Sequence, residues 1–218
     1  MPTSGDLVQI VAAHLALSPE TVGVHLRNIR VAGFITKRGF GRGAAAMTPG
    51  DAARLLLAAS GSAFAKDSIE TVEGFGRLKP AGRQTSERRP RAHGDPYVFP
   101  GPTFEASLKA KIWRLRREAY SADAVGVYRD DFVDANSVRG IGVPAVQLFS
   151  CFVHGRSTPV RAAVLRHFDR DEIEAYSFAE FRSEVFDERA FYVAAGFPGL
   201  VQVRSISPRA LAQIARSL

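Results

Sequence analysis

The stretch that decides the fold runs Leu17-Ser18-Pro19-Glu20-Thr21-Val22-Gly23-Val24-His25-Leu26-Arg27-Asn28-Ile29-Arg30-Val31-Ala32-Gly33-Phe34-Ile35. Ser18 can accept hydrogen bonds from the orphan amides of a new helix and Pro19 presets φ at its first position, so a helix is predicted to begin at Pro19. Gly33 predicts the stop, because glycine takes the left-handed position after a helix without a Cβ penalty. At roughly 100° per residue, Val22, Leu26 and Ile29 fall on one stripe and form the buried face. The outward set is then Glu20, Gly23, Val24, Arg27, Asn28 and Val31, with Thr21 and His25 at the flanks.

Upstream, Leu7, Ile10 and Val11 mark one face of a preceding helix from Asp6, separated from the next by a turn at Leu15-Ala16-Leu17. Downstream, Phe34-Ile35-Thr36-Lys37-Arg38-Gly39-Phe40-Gly41-Arg42-Gly43 places β-formers around glycines with three cations, which predicts a hairpin whose tip can approach a polyanion closely. Thr48-Pro49-Gly50-Asp51 then has the cap, proline and acidic third position of another helix start, leading into Asp51 to Ala59. Leu55, Leu56 and Leu57 close a small core.

Leu17 to Val22, through His25-Leu26, to Ala32-Gly33-Phe34-Ile35 resembles the winged helix-turn-helix of bacterial transcription regulators. The resemblance covers about a quarter of the chain and implies duplex DNA binding, with Pro19 to Ala32 as recognition helix. On that reading Asn28 pairs bidentately with adenine, Val24 touches a thymine methyl, and Thr21 meets a base or phosphate near the helix start. Ser18, Glu20, His25 and Arg27 belong to the same surface, Arg27 as a phosphate contact and His25 at the edge of the helix. Lys37, Arg38 and Arg42 clamp phosphates beside the groove. The helix that usually precedes the first strand has almost no room before Asp6, so either Asp51 to Ala59 replaces it or a partner chain supplies it. Gly41 to Ala44, Met47-Thr48-Pro49 and Asp51-Ala52-Ala53 also resemble proteins of bacterial phages and mobile elements.

The net charge of +7 is unevenly spread. Residues 1 to 94 carry 13 Lys plus Arg against 7 Asp plus Glu, whereas residues 95 to 218 carry 16 against 15, so the positive field belongs to the first part. Such a field concentrates polyanions. An apolar fraction of 46% with 23% charged residues excludes wholesale disorder. Cys151 is the single cysteine, which excludes an intrachain disulfide and fits a reducing, cytoplasmic setting. No signal peptide or membrane span is legible.

Residues 77 to 102 show neither helical nor alternating period and are expected to be a basic linker, in which Arg88, Arg89 and Arg91 can follow phosphates or enter a narrow minor groove. Thr103 can cap a helix with the stripe Phe104, Leu108, Ile112, Leu115 and Ala119. Strands are expected at Ala124 to Tyr128, Ala145 to Val153, Val160 to Phe168 and Leu200 to Val203, a short helix around Phe178, Phe181 and Val185, and a last helix from Ser207-Pro208. The expected fold class is α+β. It comprises a winged helix-turn-helix domain over 1–76, a linker over 77–102, and a domain with a small antiparallel sheet over 103–218.

None of His14, His25, His93, His154 and His167 has a second ligand at metal spacing, so neither zinc nor any other cofactor is expected. The acidic clusters at Asp130, Asp131 and Asp134, and at Asp169, Asp171, Glu172 and Glu174, read as solvated turns rather than a two-metal nuclease. His154, His167, Arg156, Arg161 and Arg166, with Tyr176 or Tyr192, bear a superficial likeness to a strand-cleaving site. The expectation is a sequence-specific, non-enzymatic transcription regulator that binds double-stranded DNA as a homodimer, with a protein or small-molecule effector on the second domain. A DNA-processing accessory protein of a mobile element and a protein-interaction module are the alternatives.

Overall fold

The computed structural model of the 218-residue chain describes residues 2–36, 45–85, 101–119, 144–167, 172–177, 188–196 and 199–218. Helices α1 (Ser4–Leu15), α2 (Pro19–Val31), α3 (Pro49–Gly61) and α4 (Ser68–Gly76) precede strand β1 (Lys79–Thr85) and helix α5 (Phe104–Ala119). Strands β2 (Val146–Phe152), β3 (Val160–His167) and β4 (Glu172–Ser177) follow, then α6 (Glu188–Ala194), β5 (Leu200–Ile206) and α7 (Pro208–Arg216). The class is α+β, with one antiparallel sheet of order β1-β4-β3-β2-β5.

Local chemistry explains most boundaries. The Ser18 hydroxyl accepts from the Thr21 amide and Pro19 follows at the first position, opening α2. Gly33 closes it at φ +87, where Phe34 N donates to Ile29 O at 2.9 Å and Gly33 N to Arg30 O at 3.1 Å. That bond pair is a Schellman end, and Phe34 packs back on the core. Thr48 and Asp51 form a capping box for α3, and Ser207 caps α7.

Alternation along the strands gives the sheet two covered faces. Val146, Leu148, Ala163, Leu165, Tyr176 and Ile206 join the helical core, whereas Phe149, Cys151, Ala162 and Val164 pack with Phe191 and Ala195 of and beside α6. Arg161 points to the helical side, where it pairs with Glu70 at 2.9 Å and lies over the Phe75 ring.

One core runs from Leu7 through Leu56, Leu78, Phe104 and Leu148 to Leu218, across both expected boundaries. Lys79–Thr85, expected as linker, is strand β1, paired antiparallel with β4. Phe104 N donates to Leu78 O at 3.0 Å, so the chain returns to where it left the helical body. Helix α7 packs on α1 and α5, and α3 packs on α5. Glu172–Ser177, expected partly as a solvated acidic turn, is β4, with Glu174 fully buried. The expected strand at 124–128, the helix around residues 178 to 185, and the rest of the linker from residue 86 to residue 100 lie outside the described residues.

Candidate nucleic-acid interface

Helices α1 and α2 are joined by Ala16, Leu17 and Ser18. Ala16 is left-handed, with φ 53 and ψ 41, and is the one non-glycine residue at positive φ among those described. Leu17 N reaches back to Ala12 O at 3.0 Å, so the turn is closed by backbone bonds before α2 begins. Turns of this length join the helices of a helix-turn-helix as well as those of antiparallel helix pairs.

Val22 and Ile29 are fully buried and Leu26 nearly so, which fixes α2 by the stripe expected of it. The opposite surface is open: Glu20, Thr21 and Arg27 are exposed, Val24 is 39% exposed and Val31 76%. Thr21 is engaged locally, its hydroxyl 3.0 Å from that of Ser18. Ser18 and Thr21 therefore serve the helix start, and Glu20, Val24, Arg27 and Val31 make up the free face.

Two expected members of that surface are placed elsewhere. The Asn28 amide donates to the carbonyl of Ala65 at 2.6 Å, so its hydrogen-bonding edge points into the protein rather than towards a base. His25 is buried, with Nδ1 2.8 Å from the Ser68 hydroxyl. Ser68 in turn donates to Ala65 O, which makes it the acceptor from a His25 Nδ1–H. These four residues bolt the 3-10 turn Ala65–Asp67 to one flank of α2. Desolvation pushes the His25 imidazole below its ordinary pKa. No pattern within residues 17–35 could have revealed this flank, because the segment covering it lies thirty-seven residues downstream of Asn28.

The same turn presents Phe64, 65% exposed, with the Lys66 ammonium 5.5 Å from its ring centroid. Sequence reading passed over both. Their signal was an aromatic-cation pair in a short connection between two helices.

Lys37, Arg38, Arg42, Arg88, Arg89 and Arg91 lie outside the described residues. The base of the 37–44 segment is defined, however. Buried Asp51 accepts from Thr36 N at 2.9 Å and Thr48 N at 2.8 Å, and from both threonine hydroxyls. Met47 N donates to Pro2 O at 2.9 Å, bringing the exit of that segment against the residues before α1. Arg54 completes the support, donating to Phe34 O at 2.7 Å and to Glu105 on α5 at 2.8 Å. Helix α3 packs on both α1 and α2.

Those residues considered for strand cleavage whose side chains are described are not brought together. Arg161 faces the helical body on Glu70, while Arg166 bonds Gln147 from the other side of the sheet at 2.7 Å. Tyr176 is buried, its hydroxyl donating to Glu174 at 2.6 Å and meeting that of Ser107, which accepts from Gly101 N. Tyr192 is part of α6, and His154 and Arg156 are exposed in the β2–β3 connection. Among the described residues no three His, Cys, Asp or Glu side chains are grouped as a metal site would need, and no helix is long and apolar enough to cross a membrane. No protein-family model matches the chain, and neither curated proteins nor solved structures show a significant match to it.

Proposed function

We propose that α1 and α2 form a helix-turn-helix that reads double-stranded DNA, with α2 entering the major groove. The carrying observation is that α2 is held by Val22, Leu26 and Ile29 while Glu20, Val24, Arg27 and Val31 stay open on the reverse surface. The left-handed turn at Ala16 supports it, as does the anchoring of residues 36 and 48 on one carboxylate, the base a hairpin beside the groove would need. Val24 contacts a thymine methyl, Arg27 a phosphate or guanine edge, and Glu20 a cytosine amine. The excess of cations in the first part of the chain supplies non-specific attraction.

Selection of bound fragments from a random duplex library, followed by titration at several salt concentrations, tests this reading. A recovered consensus whose affinity falls steeply with salt supports it, and equal affinity for every duplex counts against it.

A second reading, a protein-interaction module, is favoured by the exposure of Val31 at the end of α2 and of Phe64 before the turn Ala65–Asp67, since apolar side chains left open mark protein contacts as well as methyl contacts. Arg27→Ala separates the two. It weakens duplex binding strongly on the first reading and leaves an apolar protein contact largely intact on the second.

A further inference from the structure

The sheet treats its two edges differently. Edge strand β1 carries exposed Lys79 and Pro80 and a register shift between Pro80 and Gly82. A cation, a missing N–H and a bulge each obstruct the addition of another strand. Edge strand β5 has neither the proline nor the register shift, and Arg204 is its one cation. Its seven residues, Leu200-Val201-Gln202-Val203-Arg204-Ser205-Ile206, contain one charge, and among the described strands it pairs only with β2. Leu200 is 55% exposed and Val203 43%, and Phe152, which stands opposite Leu200, is 38% exposed.

The register gives this edge two usable faces. Val201 and Val203 stand opposite Cys151 and Phe149, on the α6 side, whereas Leu200 and Arg204 stand opposite Phe152 and Leu148, on the helical side.

We propose that β5 is a self-association edge, to which a second copy of this chain adds its own β5 antiparallel across a two-fold axis at Gln202. The occupant follows from self-complementarity. Pairing about Gln202 sets Val201 opposite the second copy's Val203, and the reverse, giving two cross-strand β-branched pairs. It sets Arg204 opposite the second copy's Leu200, so the lone cation of the strand never faces its symmetry mate, although each chain carries +7. An acidic peptide partner would call for cations along the edge, and β5 supplies one. The result is a continuous ten-stranded sheet with β1 at both outer limits, where the obstructing features stand.

Sedimentation velocity of the full chain, with and without Val203→Lys, tests the proposal together with cysteine cross-linking. The wild-type chain sediments as a dimer, and Val203→Lys as a monomer with an unchanged circular-dichroism melt. Gln202→Cys forms an interchain disulfide under mild oxidation because residues directly opposite have Cβ atoms about 5 Å apart, while Ser205→Cys does not. A wild-type monomer, a dimer indifferent to Val203→Lys, or cross-linking at 205 in preference to 202 overturns it. If Val203→Lys fails to fold, the cysteine pair decides alone. No nucleic acid enters these measurements, so this proposal and the DNA reading fail separately.

Discussion

The side-chain amide of Asn28 lies 2.6 Å from the carbonyl oxygen of Ala65, so the residue best suited to read adenine is a brace for the turn that follows α3. Asn28→Ala therefore removes a partner from a part-buried carbonyl, at a cost of about 1 to 2 kcal/mol. Denaturant unfolding should show a lower midpoint, and the sequence recovered from a duplex library should be the same as for the wild type. A changed consensus at unchanged stability would return Asn28 to the reading surface.

His25 makes stability pH-dependent. Its folded pKa lies below the ordinary 6.5, because burial disfavours the imidazolium, so the unfolded chain binds the extra proton first. The neutral-His stabilisation is complete above that value and declines as pH falls through it towards the depressed folded value. Thermal melts at pH 7.5 and pH 5 should differ more for the wild type than for His25→Gln; equal differences would place the dependence elsewhere.

Ala16 sits at φ 53, a conformation that costs an L-residue with a Cβ about 1 kcal/mol. Ala16→Gly should raise the melting temperature by a few degrees, the relief of strain outweighing the extra entropy of the unfolded chain. A lower melting temperature would mean that the alanine methyl contributes packing greater than the strain.

Asp51 gathers Thr36 and Thr48 onto one buried carboxylate. Asp51→Ala takes the acceptor from the part-buried amides and hydroxyls of Thr36 and Thr48 and should cost about 1 to 3 kcal/mol. Hydrogen exchange should accelerate first at Thr36, Thr48 and the opening turn of α3. Protection lost uniformly over the chain would show that this carboxylate anchors the whole fold rather than one segment.

How much of this was legible depends on the range over which each signal acts. Ser18, Pro19, Gly33, Thr48 and Ser207 act within one helical turn, and the helices they bound appear where their chemistry puts them. The β2–β3 hairpin follows from alternating apolar residues on two neighbouring strands, whose connection is two residues longer than the expected five. Strand β1 was hidden because Lys79, Pro80 and Gly82 are individually poor strand residues, accepted here since β1 is an edge and its partner β4 lies about ninety residues on. Strand β4 was hidden by Glu174, which reads as solvent-facing until the Tyr176 hydroxyl is placed against it. Of the candidate interface, the exposure of Val24 and Arg27 came from helical periodicity, while the roles of His25 and Asn28 belong to a tertiary contact that periodicity does not encode.

The pairing of β1 with β4 also sets an order of events during synthesis. A ribosome delivers α1 to α4 and then β1 long before β4 exists, so the open backbone of β1 must wait through roughly ninety further codons for its partner. At about 5 to 20 residues per second that delay lasts on the order of ten seconds, a window in which the unfinished first part of the chain is the species most in need of a chaperone.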